Sequence, residues 1–291
     1  MAEERLFCFG LGYSARFLAR HLQAQGWQVA GTVRSQPDRA ALEAIGIAAF
    51  LFDGQAPMDA AGRAALADSS YILSSVPPDD KGDPVERHHR ADFAALGDCR
   101  WVGYLSTSGV YGDHGGGWVD EATPPTPISR RGVRRLAAEN IWRSLGDRAG
   151  LPVHIFRLAG IYGPGRSPLD AVRAGQARRI AKPGQVFSRI HVADIARALV
   201  ASMARPRKGA IYNLCDDCPA SSSEVIAYAA SLLGQDPPPE VPLDEADLSP
   251  MARSFYSENK RVRNRLMHVE LGVELAFPDY KAGLASLLDR P

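Results

Sequence analysis

LFCFGLGYSARFLARHLQAQGWQVAGTVR, residues 6–34, decides the fold. Leu6-Phe7-Cys8-Phe9 is apolar at every position, as suits a parallel strand buried on both faces, and it stops at Gly10-Leu11-Gly12. A helix is predicted next: Phe17, Leu18, His21, Leu22 and Gln25 recur at helical spacing before Gly26 breaks the pattern. Trp27 to Val33 then reads as a second strand. Strand, glycine turn, helix and strand within about 30 residues make a βαβ unit, whose crossover is right-handed. The turn spells GxGxxA: Gly10 permits the tight bend, Gly12 lets backbone approach a pyrophosphate, and Ala15 is small enough for the helix to pack on the sheet. The helix N-terminus, at Tyr13, Ser14 and Ala15, carries amides without helical partners and a dipole that favours an anion. A glycine pattern alone is weak evidence, and its plainer reading is an ordinary strand-to-helix turn. In this context it predicts a dinucleotide held by Gly10, Gly12, Tyr13, Ser14 and Ala15.

At the end of the second strand, where a carboxylate would take the ribose hydroxyls of NAD, stands Arg34, followed by Ser35 and later Arg39. A guanidinium suits a ribose 2′-phosphate, so NADP is expected as cofactor ahead of NAD. The plainer reading of Arg34 is a solvated surface arginine.

The 291 residues suffice for one or two domains with a substantial core. A formal net charge of +1 gives no overall field for nucleic acid or a membrane surface, and no apolar run approaches a membrane span. The first residues, Met1-Ala2-Glu3-Glu4-Arg5, are acidic and enter a strand directly, so no signal or transit peptide is expected and the location is expected to be cytoplasmic. Four cysteines are too few for a disulfide scaffold. Cys215 and Cys218 form a CxxC with no second pair or nearby histidine, so neither zinc nor redox chemistry is expected there and no metal site is predicted. His88 and His89 are adjacent, face different sides of a helix, and read as solvated.

A helix is expected from Pro37 through Ile45, and Ala48 to Phe52 reads as a third strand ending at Asp53, which either accepts from an adenine amino group or caps loop amides. Tyr71 to Ser75 is the fourth strand, with Ser75 at its end and the backbone of Val76-Pro77-Pro78 expected to lie over the cofactor. Val85 to Leu96 reads as a helix, Trp101 to Leu105 as the fifth strand, Ser129 to Leu145 as a capped helix, and Val153 to Arg157 as the sixth strand. The hydroxyls of Ser106-Thr107-Ser108 fall where open α/β sheets bind ligands. Ala210 to Leu214 is a further strand and Ser221 to Leu233 a helix. The stretch beyond Gly234 is proline-rich and acidic through Pro250, as in a linker or lid, and the tail has two amphipathic pieces, Glu258 to Met267 and Tyr280 to Leu288.

Taken together, the GxGxxA turn, Leu105 to Gly112 (LSTSGVYG), Glu121 with its prolines, Arg157 to Gly165 (RLAGIYGPG) and Arg189 to Ala196 (RIHVADIA) resemble the extended short-chain dehydrogenase/reductase superfamily, in particular its NAD-dependent epimerase/dehydratase group. The resemblance implies an α/β, Rossmann-type doubly wound parallel sheet of about seven strands with a smaller C-terminal substrate-binding domain that caps the cleft. The implied division is 1–163, with 189–215 returning to the sheet, against 164–188 and 216–291. It also implies an oxidoreductase acting on a nucleotide sugar or similar polar anionic substrate, and a homodimer through the Val85 to Leu96 and Arg131 to Leu145 helices.

In that group a Ser or Thr four residues before the Tyr of VYG touches the reacting hydroxyl, which here is Thr107, and a YxxxK pair follows on a helix. Registering Glu139 on the group's KxxxE puts Arg135 at the lysine and Arg131 at the tyrosine. Arginine keeps its proton up to a pKa above about 12, so Arg131 is no general base near neutral pH. Arg135 still suits the nicotinamide ribose hydroxyls. Arg131 either reads an anionic group or belongs to a solvated or dimer-contact face. Tyr111, His114, Tyr162 and His191 lie in motifs that should line the cleft, and each reads better as a packing or turn residue than as the missing base. The alternative to an enzyme is a catalytically silent NADP(H)-binding sensor or regulatory partner.

Overall fold

The computed structural model describes residues 4–288. In chain order the principal elements are β1 (Arg5–Phe9), α1 (Tyr13–Gln23), β2 (Gln28–Val33), α2 (Gln36–Glu43), β3 (Ala48–Leu51), α3 (Ala60–Ala67), β4 (Tyr71–Ser74), α4 (Pro84–Ala94), β5 (Trp101–Thr107), α5 (Arg130–Ala149), β6 (Val153–Leu158), α6 (Pro168–Arg173), α7 (Val192–Met203), β7 (Ile211–Leu214) and α8 (Ser222–Leu232). The seven strands form one sheet in the order β7-β6-β5-β4-β1-β2-β3, with β1 paired parallel to both β2 and β4. The chain leaves β1 toward one edge and returns beside it as β4, so the strand order reverses between β1 and β4. That reversal is where an open α/β sheet leaves a crevice at its carboxyl edge. The doubly wound α/β reading of the sequence therefore holds.

The chain divides into two compact units. The first runs to Thr107 and adds Val133–Arg157 and Ile195–Tyr212. Its core joins Phe7, Phe9, Phe52, Phe93 and Trp142, with the Phe93 and Trp142 rings edge to face at 5.2 Å. Ala138, Trp142 and Leu145 are buried at helical spacing along α5, which fixes the face that helix turns to the sheet. The second unit comprises Ser108–Gly132, Leu158–Asp194 and the chain from Asn213. Tyr162, Leu169, Val225, Tyr280 and Leu284 lie in its core. Its α8 starts on a reciprocal cap, in which Ser221 accepts from Glu224 N and the Glu224 carboxylate accepts from Ser221 N.

Several expectations are corrected. On α1 the buried stripe is Ser14, Ala15, Leu18, Ala19 and Leu22, while His21 and Gln25 pair with each other at 2.9 Å on the exposed side. Small residues, not the larger polar ones, allow the close approach to the sheet. His89 is fully buried instead of solvated: its Nε2 accepts from Met58 N, its Nδ1 meets the Asp92 carboxylate at 2.7 Å, and its ring packs on Phe9 and Phe52. Within the proline-rich stretch, Glu240–Pro242 pairs parallel with Arg179–Ala181, so part of that segment is strand. The piece from Glu258 to Met267 is a two-residue strand, Arg261–Val262, followed by a short helix, Arg265–Val269. No helix among the described residues is long and apolar enough to cross a membrane.

Candidate functional site

The glycine turn follows β1 and is pinned from both sides. Gly10 N donates to Thr32 Oγ1 at 2.8 Å, Leu11 N donates to Thr32 O at 2.8 Å, and Ser75 Oγ donates to Gly10 O at 2.5 Å. Gly10 has φ +81°, and a Cβ there would come within 3.0 Å of Ser75 Oγ and 3.1 Å of Val76 Cγ2. Gly12 differs: a Cβ on it would meet nothing within 4 Å. It is the N-cap of α1, offers no side-chain acceptor, and no acidic residue stands in the first turn. The first amides of α1, at Tyr13, Ser14 and Ala15, thus begin the helix without a side-chain cap, beside open space. This arrangement fits the pyrophosphate of a dinucleotide. Ala15 is fully buried as its position in the motif requires, Ser14 is buried, and the Tyr13 ring is half-buried 5.5 Å from that of Phe17. Ser75 serves the turn itself, because its hydroxyl is committed to Gly10 O, while Pro77 is exposed.

At the end of β2, Arg34 is exposed and Ser35 caps α2. Asp38 carries more structure than the sequence suggested. Its Oδ2 accepts from Ser35 Oγ at 2.7 Å and its Oδ1 from Arg16 Nη2 at 3.0 Å, while Arg16 Nε donates to Leu11 O at 2.7 Å. The Ser35 hydroxyl, then Arg16, and more weakly Arg34 hold the Asp38 carboxyl below its ordinary range. Arg39 is paired with Glu43 at 2.8 Å. Asp53 Oδ1 accepts from Gln55 N at 2.9 Å, within its own loop. Arg16 and Asp38 were missed in the sequence. The signals were there: Arg16 directly follows GxGxxA, and Ser35-x-x-Asp38 is a helix-start pattern.

Thr107 is the half-buried last residue of β5. One position earlier, Ser106 Oγ donates to Glu139 Oε1 at 2.5 Å, and Glu139 is paired with Arg157 at 2.8 Å, both side chains almost wholly buried. This triad ties β5, α5 and β6 together. One helical turn before Glu139, Arg135 Nη1 donates to Leu105 O at 2.8 Å and to Tyr104 OH at 2.9 Å. Burial pushes the Tyr104 phenol well above its ordinary pKa, against the pull of the Arg135 charge. Arg131 behaves differently: it is exposed and its guanidinium lies 4.7 Å from the centre of the Phe255 ring. Of the two arginines that the sequence comparison matched to a tyrosine–lysine pair, Arg135 is thus fastened to β5 and Arg131 is stacked on an aromatic.

In the second unit the residues considered as substitute bases have structural duties. Tyr111 OH donates to Asn213 Oδ1 at 2.8 Å, and His114 Nε2 meets Tyr111 O at 3.0 Å. His191 Nδ1 accepts from Ala193 N at 3.2 Å, and the Tyr162 ring stands edge-on to it at 5.2 Å. Burial raises the Tyr162 phenol well above its ordinary range. Cys215 is buried with its thiol donating to Val262 O, and no group of three or more potential metal ligands occurs among the described residues. Within the CxxC, Asp216 is the unexpected group. Only 1% exposed, it accepts from Cys218 N through Oδ1, leaves Oδ2 without a hydrogen-bond partner among the described residues, and its carboxyl pKa is pushed up to about 7, chiefly by desolvation. A cavity of about 610 Å³ in this unit is lined by Arg179, Lys182, Gln185, Phe187, Tyr256 and Arg261 among others.

Comparison with known proteins adds three findings. A family model for the NAD dependent epimerase/dehydratase family matches residues 92–215. The chain is 31% identical to Protein YeeZ of Escherichia coli strain K12 over 280 residues, 93% of this chain and 95% of that protein. Among solved structures, it is similar to a functionally unknown conserved protein from Silicibacter pomeroyi DSS, with 52% identity, 98% of each chain covered and a TM-score of 0.88. A more distant likeness, 17% identical with a TM-score of 0.75 and 98% of each chain covered, is to UDP-glucuronic acid 4-epimerase from Bacillus cereus in complex with UDP-glucuronic acid and NAD, which bears on the fold alone.

Proposed function

Since this chain belongs to the NAD dependent epimerase/dehydratase family, we propose that it is an NADP-preferring oxidoreductase of that family, acting on a nucleotide sugar or similar polar anionic substrate. The observation that carries the reading is the uncapped glycine turn: Gly12 faces open space at the start of α1, and Arg34 follows at the end of β2. The B. cereus epimerase, whose structure holds NAD and UDP-glucuronic acid, shares the fold, and we carry that class of ligand over to this chain.

On this reading Gly10, Gly12 and the amides of Tyr13, Ser14 and Ala15 hold the pyrophosphate, Arg34 serves the 2′-phosphate, and Asp53, Ser75 and Pro77 border the adenosine and pyrophosphate positions. The coenzyme supplies the hydride acceptor or donor. Thr107, at the end of β5, orients a substrate hydroxyl. Arg135, anchored on Leu105 O, keeps its remaining N–H groups for ribose hydroxyls. Arg131 stays protonated and binds an anionic group, and a residue other than 131 moves the proton. The second unit supplies substrate-binding surface, and α4 with α5 forms a homodimer contact. Titration with NADPH and NADH by calorimetry, followed by hydride exchange against a panel of sugar nucleotides and carbonyl compounds, tests the proposal. Binding of NADPH with turnover of one of them is expected; binding without exchange against any of them counts against the enzymatic reading.

One observation favours a second reading. Arg131, which the sequence comparison matches to the family's tyrosine, is stacked on Phe255, and general-base catalysis is worth roughly two to four powers of ten in rate. A silent sensor that reports the NADP to NADPH ratio to another macromolecule accommodates that loss. Equal affinity for such a partner in both coenzyme states would remove this alternative.

A further inference from the structure

Two donors from two elements converge on one carboxylate near the end of β2, and a third group adds charge without donating to it. Arg16 reaches it from α1, Ser35 from the N-cap of α2, and Arg34 adds its charge from the strand end. We propose that Asp38 is an internal anion seated on the donors of the 2′-phosphate position, and that its charge sets how strongly the protein prefers NADP over NAD. The inference rests on the coenzyme reading above and adds to it the residue that regulates the choice.

Carboxylates and phosphates are taken by the same guanidinium and hydroxyl donors, so a group that already satisfies Asp38 is not fully available to a second anion. The site is open to solvent: the Arg16 side chain is 38% exposed and that of Asp38 48%. Arg16 is also bound to the glycine turn through Leu11 O, which fixes its guanidinium between that turn and α2. Arg39, one position on in α2, is paired with Glu43. Two guanidinium charges therefore stand against one carboxylate where a phosphate monoester would bring roughly one and a half to two negative charges at pH 7. A bare ribose hydroxyl carries no charge and meets no repulsion from Asp38, which can accept a hydrogen bond from it. The carboxylate thus opposes NADP while leaving NAD untouched or slightly favoured.

The test is the affinity of the full chain for NADPH and NADH, measured by coenzyme fluorescence, in the wild type and in Asp38→Asn and Asp38→Ser. Both replacements remove the charge and keep a polar side chain, and a melt checks that each remains folded. Removing one like charge a few ångströms from the phosphate is expected to tighten NADPH binding about tenfold at low salt and to leave NADH within about twofold. The gain should shrink as salt rises, because the charges are exposed and screened over about 10 Å at 0.1 M. Arg16→Gln should weaken NADPH selectively. An unchanged or lowered ratio of NADPH to NADH affinity in both Asp38 variants, with wild-type coenzyme binding intact, overturns the role of Asp38 alone. Failure of the wild type to bind either coenzyme overturns the underlying reading as well.

Discussion

Gly10 and Gly12 stand two positions apart in one turn, yet replacing them should fail for different reasons. Gly12→Val puts a side chain into open space from a backbone at φ −85°, which any residue adopts. The fold should survive with a melting temperature near wild type, while calorimetry should show NADPH affinity reduced at least about tenfold as the pyrophosphate is blocked. Gly10→Ala forces a side chain onto φ +81° and against Ser75 and Val76. It should cost about 1–2 kcal/mol in urea denaturation before any effect on binding is considered. Asp216 gives a pH signature. Its folded-state pKa, about 7, lies above the ordinary 3.8, so the folded state binds the extra proton between those values. Its contribution is fully present below about pH 4 and is lost as the pH rises through 7, with a slope of at most about 1.4 kcal/mol per pH unit. Denaturation from pH 4.5 to 7.5 should therefore fall less steeply in Asp216→Asn than in the wild type, and equal slopes would refute it. The glycine turn was legible in the sequence because its requirements are local. Asp216 and the Arg16–Asp38 pair were not, since burial and a partner 22 residues away are set by the fold.

Among the elements, α5 shows how a helix with mixed surface chemistry is positioned. Its burial comes from Ala138, Trp142 and Leu145, but its registration on the sheet comes from Glu139, held by Ser106 on β5 and Arg157 on β6. Arg157→Met leaves the Glu139 carboxylate buried without its cation, which should cost about 3–5 kcal/mol. A melting temperature lowered by roughly 10 °C is the expected reading, and an unchanged melt would assign the registration to apolar packing instead. The strands and most long helices could be read from apolar runs and helical periodicity, because those patterns record which faces meet the sheet. Helix α3 could not: Ala60–Ala67 is AAGRAALA, with only Gly62 and Leu66 buried, too little contrast to mark a face. The strand Arg261–Val262 escaped for the opposite reason. Its pairing partner, Trp118–Val119, is remote in sequence, so nothing local announces it.

For the whole molecule, the family and the sheet were legible because their motifs are spread along the chain, whereas the chemistry was not, because aligning Glu139 with the family motif matches arginines, not a tyrosine and a lysine, to the expected pair and so names no proton acceptor. Coenzyme binding should register on the entire fold. NADPH at a hundredfold excess over its dissociation constant adds about 2.7 kcal/mol to the native state, which should raise the melting temperature on the order of 5–10 °C. Scanning fluorimetry with NADPH and NADH checks this, and the absence of a shift with both would leave the glycine turn without its ligand. The helix start at Gly12 has one more consequence. Amide hydrogens aimed at a diphosphate are blind to whatever is esterified to its far oxygens, so ADP, ADP-ribose and other adenylated metabolites should share that grip. Selectivity must then reside at the two extremities of the bound molecule, and a ligand survey scored by thermal shift alone would return a crowd of decoys instead of the physiological one.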